Sequence, residues 1–204
     1  MGLMRFLSFQ VIAVISSFQT QFASGATVQP GIWPVSQPCS ACVGVQIWQL
    51  ALELPRTEVG KIFSFGVDGM GIGLVPPGGD ISKAAFVSRR SFQYIQEMFK
   101  SRDLLENNAI RTAADYWRVL GQEPAAGNLK LQALRQIEGI TTARHYLHYE
   151  RGAVSAYLVD AAEPSDWRLY LLLEGDPSYY MFTGPMSEAL LNAVLTRAQR
   201  APVP

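Results

Sequence analysis

The chain has 204 residues, 49% of them hydrophobic and only 17% charged, which excludes a disordered polymer and suits a single domain of ordinary size with a real core. Its 17 basic and 17 acidic residues cancel. That balance excludes a nucleic-acid surface, which needs excess positive charge to displace counterions from phosphates, and equally a polybasic membrane anchor.

Residues 1–26 read as a cleavable signal peptide. Met1 to Arg5 gives a positive start, and an apolar run from Phe6 to Ile15 is broken only by Ser8 and Gln10. A polar stretch then leads to the small residues Ala23-Ser24-Gly25-Ala26. Ser24 and Ala26 fill the two small-residue positions of a cleavage motif, which places the cut after Ala26, with Ala23 as the alternative. A membrane anchor needs about 20 apolar residues, roughly twice what this run offers. Nothing later in the chain is long enough to span a bilayer. Removing Arg5 with the leader leaves 16 basic against 17 acidic residues. The expected product is an exported protein, periplasmic or secreted, and soluble once processed.

Residues 27–44 form an extended proline-rich arm that carries Cys39-Ser40-Ala41-Cys42, because Pro30, Pro34 and Pro38 rule out a helix or a central strand. Val45 to Leu54 alternates in part and predicts a strand ended by Pro55. Lys61 to Gly66 and Met70 to Val75 flank Asp68-Gly69, a strong hairpin signal, since both turn residues tolerate positive φ. Phe86, Phe92, Ile95, Met98 and Phe99 then recur at helical spacing. Leu104-Leu105, Ile110, Ala113, Trp117 and Leu120 do so again up to Gly121, and Asn128 caps a third, shorter helix ended by Gly139.

The last third reads as an antiparallel meander of Thr141–Glu150, Ala153–Asp160, Trp167–Glu174 and Ser178–Thr183. Pro185 opens a final helix bearing Met186, Leu190, Leu191, Val194 and Leu195, and residues 201–204 are a tail. The expected fold over residues 45–200 is a single α+β domain. It has an N-terminal strand and hairpin, two to three central helices, and a C-terminal antiparallel meander closed by a final helix.

Chemistry concentrates in Cys39-Ser40-Ala41-Cys42 and His145-Tyr146-Leu147-His148, which together hold every cysteine and histidine of the chain. Cys39, Cys42, His145 and His148 resemble a zinc or copper site in composition. Two features count against it. In a strand, residues three apart point to opposite faces, and the histidines have fewer intervening residues than the usual three to five. A thioredoxin-like dithiol follows a strand and opens a helix, whereas this pair follows a proline-rich arm. A local Cys39–Cys42 disulfide, formed in an oxidising compartment, is the preferred reading, and no cofactor is predicted. The glycine-rich Gly66–Gly73 stretch lacks the Lys-Ser/Thr of a phosphate loop.

Strand parity divides the meander into two faces. Leu147, Tyr149, Trp167, Leu169, Leu171 and Leu173 make a core face, expected to lie under the helices. Tyr146, His148, Arg168, Tyr170 and Leu172 make the other, which Tyr157, Tyr179 and Tyr180 would extend. Tyr, His and Arg join apolar area to a polar tip and are common at interfaces. Tyr146, His148, Tyr157, Arg168 and Tyr170 are therefore the candidate binding residues. The expected function is that of a non-catalytic accessory protein that binds a protein or a small amphipathic ligand through this face. The alternative is a metal or thiol-redox protein using the Cys and His pairs.

Overall fold

The computed structural model describes residues 25–36, 38–66, 71–100, 110–125 and 128–202. A short strand β1 (Val28–Pro30) precedes a hairpin of β2 (Cys42–Ile47) and β3 (Leu50–Pro55). The pair β4 (Lys61–Phe65) and β5 (Gly71–Val75) leads to β6 (Ala85–Ser91), which runs directly into helix α1 (Phe92–Lys100). Helices α2 (Ala113–Leu120) and α3 (Leu129–Ile137) follow. Next come β7 (His145–Arg151), β8 (Val154–Asp160), β9 (Arg168–Leu173) and β10 (Ser178–Thr183). Helix α4 (Glu188–Arg197) and β11 (Gln199–Arg200) come last.

Local chemistry sets the helix ends. Thr112 Oγ1 accepts from the Asp115 backbone N–H at 3.1 Å, and the Asp115 carboxylate accepts from the Thr112 N–H at 3.1 Å. This reciprocal capping box contributes about 1 kcal/mol at the start of α2. Asn128 and Ser187 cap α3 and α4 in the same way, each accepting at 3.0 Å from the N–H three residues on. Gly139, at φ +77°, turns the chain out of α3 in the left-handed region that glycine enters without strain.

Eight strands form one sheet in the order β1-β7-β8-β9-β10-β6-β5-β4, and β11-β3-β2 form a second, smaller one. Among the described residues every pairing is antiparallel except β1 with β7, where Val28, Gln29 and Pro30 run parallel to Tyr146, Leu147 and His148. The large sheet is the middle layer of three. On one side the small sheet and α4 pack Leu50, Leu52, Leu54, Val194 and Leu195 against Leu169, Leu171 and Phe182. On the other, α1, α2 and α3 pack Ile95, Trp117, Leu120 and Leu134 against Tyr146, Tyr157, Tyr170 and Tyr179. Strand β9 lies between the two layers, which is why Leu169–Leu173 is buried throughout and apolar at nearly every position instead of alternating. Among the described residues no helix is long and apolar enough to cross a membrane.

The mixed α+β content and the closing helix match the sequence reading, and several details differ. The single strand expected over Val45–Leu54 is a hairpin that reverses at Trp48-Gln49. Trp48, at φ +54°, is held by the Arg89 guanidinium 4.8 Å above its ring, so tertiary contact makes a turn that no Gly, Pro or Asn signals. Phe86 belongs to β6 and not to a helix; it pairs with Gly73 of β5 and meets the ring of Phe63 edge-on at 6.2 Å. The last helix begins at Glu188 behind Ser187, beyond Pro185. Of the helices expected over the leucine face only α4 lies there, beside the small sheet, whereas α1, α2 and α3 cover the tyrosine face. The arm is not separate from the folded body, since it supplies β1 and the start of β2. The turn expected at Asp68-Gly69, the helical stretch expected at Leu104-Leu105 and most of the expected leader lie outside the described residues.

Candidate functional site

The candidate binding face is interior. Tyr146, Tyr157 and Tyr170 are only 0%, 3% and 1% exposed, because α2 and α3 lie across them. Tyr146 OH donates to Trp117 O at 2.9 Å. Tyr170 stacks on the Trp117 indole, centroids 3.7 Å apart and planes at 25°. Parity was read correctly, but the face is a core surface and not one open to a partner. Tyr179 extends it, meeting Trp117 edge-on at 5.9 Å. Tyr180 points the other way, donating to Asp176 Oδ2 at 3.0 Å and accepting from Gln49 N at 3.2 Å.

His148 and Arg168 sit at the margins of this face. His148 stacks on Tyr157 with centroids 4.4 Å apart, and its Nε2 lies 2.9 Å from Ser155 Oγ. Burial lowers its pKa below the usual 6.5. This Ser–His contact has the reach of a nucleophile and base. Among the described residues, however, no carboxylate hydrogen-bonds to His148 Nδ1 to orient the ring. Arg168 Nη1 donates to Ile137 O at 3.1 Å and borders a polar cavity of ≈ 500 Å³ with Asp166 and Thr142.

Sequence reasoning missed a carboxylate at the centre of the tyrosine face. Glu138, at the C-cap of α3, accepts from Tyr116 OH at 2.9 Å and from Tyr170 OH at 2.8 Å. Burial pushes its carboxyl above the ordinary range, although both hydroxyls and the guanidinium groups of Arg168 and Arg90 oppose this. Burial, followed by the charge of Glu138, pushes the Tyr170 phenol up in turn. The residues recruited to this acid are far apart in sequence, so no local pattern announces them.

The four candidate metal-binding residues are not assembled. Cys39 and Cys42 are joined in a disulfide with Cα atoms 5.9 Å apart. His145 turns to Asp160, Nδ1 to Oδ2 2.8 Å, while His148 turns to Ser155. As strand geometry requires, the two imidazoles leave β7 on opposite faces. Among the described residues no cluster of three or more His, Cys, Asp or Glu side chains is placed to hold a metal ion.

The structure does build a cleft where the arm passes α4. Leaving β1, Gly31 N donates to His148 O at 2.7 Å, and a Cβ at Gly31 would lie 2.4 Å from the Tyr149 ring, so only glycine lets the arm lie so close. Trp33 then stands edge-on to Tyr149 at 6.3 Å beneath the Arg151 guanidinium, 4.7 Å from its ring. Arg151 in turn donates to Thr196 O of α4 at 2.9 Å. At its far end the arm is tied by the disulfide and by Arg56 N donating to Ala41 O at 2.9 Å. Between these two fastenings lies a space of ≈ 620 Å³ walled by Pro34, Val35 and Pro38 on the arm and by Ala189 and Ala193 on α4. Cys39 and Arg197 line the same space, and Glu53 Oε2 stands 3.7 Å from Arg197 Nη1. No known protein family, curated protein or solved structure matches this chain.

Proposed function

We propose that this chain is an exported, soluble binding protein whose ligand is a small amphipathic molecule with an anionic end, held between the proline-rich arm and α4. The observation that carries the reading is the cleft, whose ≈ 620 Å³ falls within the roughly 300–1,000 Å³ of small-molecule sites. Its proline and alanine walls suit an apolar body. Arg197 supplies a cation, and its partner Glu53, 61% exposed, is the carboxylate an anionic head would displace. Three prolines and a disulfide hold the arm, so little freedom remains to be lost on binding. The contact surface is thereby moved from the buried tyrosines to the arm.

Titration with 1-anilinonaphthalene-8-sulfonate, an anionic apolar dye, tests the reading. Saturable fluorescence enhancement is expected, and Ala189→Trp, at an exposed helix position lining the cleft, should abolish it without moving the thermal midpoint. Equal dye binding by this variant and the parent would refute the cleft as the site.

A thiol-exchange role is the second reading, favoured by one observation: Cys39 lines the same cleft. Stoichiometric mixed-disulfide formation with glutathione, detected by intact mass, would support it.

A further inference from the structure

The buried guanidinium of Arg135 bears on where the mature chain begins. Arg135 projects from α3, is 0% exposed, and donates through Nη1 to Leu120 O at 2.6 Å and to Gln122 O at 2.8 Å. Its Nη2 donates to Ala26 O at 2.8 Å. A charge taken out of water is tolerated only where acceptors replace the hydration it has lost. Ala26 is one of those acceptors.

The residues beside it are built in as firmly. Ala26 N donates to Ile140 O at 3.3 Å, and Val28 N donates to Gly121 O at 3.0 Å. Gly25 lies at φ +59°, and a Cβ there would stand 2.8 Å from Thr141 Cα and 3.1 Å from Arg135 Nη2. Backbone atoms make the closer of these contacts, so the crowding is not relieved by a side-chain rotation. Gly25 and Ala26 thus fill a crevice between the end of α2 and the turn after α3.

Cleavage after Ala26, which the small-residue spacing favours, would remove this carbonyl. It would also leave the new α-ammonium group of Thr27 beside the guanidinium, a cation where an acceptor had been. Cleavage after Ala23 leaves the acceptor in place. We propose that the leader is cut between Ala23 and Ser24, so that Gly25 and Ala26 are the first residues of the mature fold. The step is a peptide hydrolysis by the exporting cell's leader peptidase: one water is consumed, leaving a carboxylate on Ala23 and an amine on Ser24. The proposal rests on residues 1–23 being a leader.

The precursor, expressed from residue 1 to residue 204 in an exporting bacterium, tests both ideas by intact mass. A product beginning at Ser24 is expected. One beginning at Gly25 or later overturns the cleavage site and leaves the leader standing, whereas an unprocessed product held in the cytoplasm overturns both. Gly25→Ala in the same precursor gives a second readout. Its mature form should be heavier by one methylene and melt lower than the parent. A mature product identical to the parent in mass and midpoint shows that residue 25 had been removed, and the proposal fails.

Discussion

Trp117 of α2 lies almost flat on Tyr170 of β9, with ring centroids 3.7 Å apart. The contact joins the helical layer to the middle of the sheet, and both rings are essentially inaccessible to water. Truncating either ring removes aromatic burial and leaves a cavity, a cost of about 3–5 kcal/mol. Trp117→Ala is therefore expected to lower the chemical-denaturation midpoint sharply. Alanine at Tyr146, Arg168 and Tyr170 together should leave no cooperative transition by circular dichroism.

Glu138 gives stability a pH dependence of definite sign. Its carboxyl holds a proton to higher pH in the folded chain than in the unfolded one, where it titrates near 4.5. The native state therefore binds more protons just above that value, and stability falls as pH rises through this interval. Glu138→Gln should flatten the decline in urea midpoints, because the amide oxygen still accepts from a tyrosine hydroxyl. An unchanged slope would place the titrating group elsewhere.

His148 acts in the opposite sense. Burial depresses its folded pKa below 6.5, so below that pH the unfolded chain takes up the proton first and stability is lost as pH falls. His148→Gln should remove this acid-side loss while leaving the decline due to Glu138. An NMR titration of the His148 ring protons would read the depressed value directly.

The Cys39–Cys42 disulfide closes a very short loop, so its removal is expected to cost at most about 2 kcal/mol, roughly 4–8 °C in midpoint for a chain of this size. Its larger effect should fall on the cleft, because one end of the arm is released. In a Cys39→Ser/Cys42→Ser variant, dye affinity should drop severalfold more than the midpoint shift would suggest. Equal affinity would mean that the arm is held by Trp33 and β1 alone.

The two-residue parity of strand geometry, applied to the meander β7–β10, was enough to sort Leu169, Leu171 and Leu173 from Tyr170 and Leu172. Parity identifies two faces but does not say which layer covers each, and for that reason the tyrosines passed for surface. The Phe86–Phe92 spacing misled because β6 passes into α1 without a breaker, and pairing with β5 and β10 decides what periodicity cannot. The prolines announced the arm plainly. The cleft was hidden because Pro34 and Ala193 meet only through the tertiary fold.

The parallel union of Val28 with Tyr146 and the antiparallel one of Gln199 with Ala51 set the order of events during synthesis. The opening strand emerges from the ribosome long before its partner β7 exists, and the small sheet lacks one edge until Gln199 and Arg200 appear. Each of these edges therefore closes by joining segments distant in the sequence, so neither outer strand is fixed by local pairing alone.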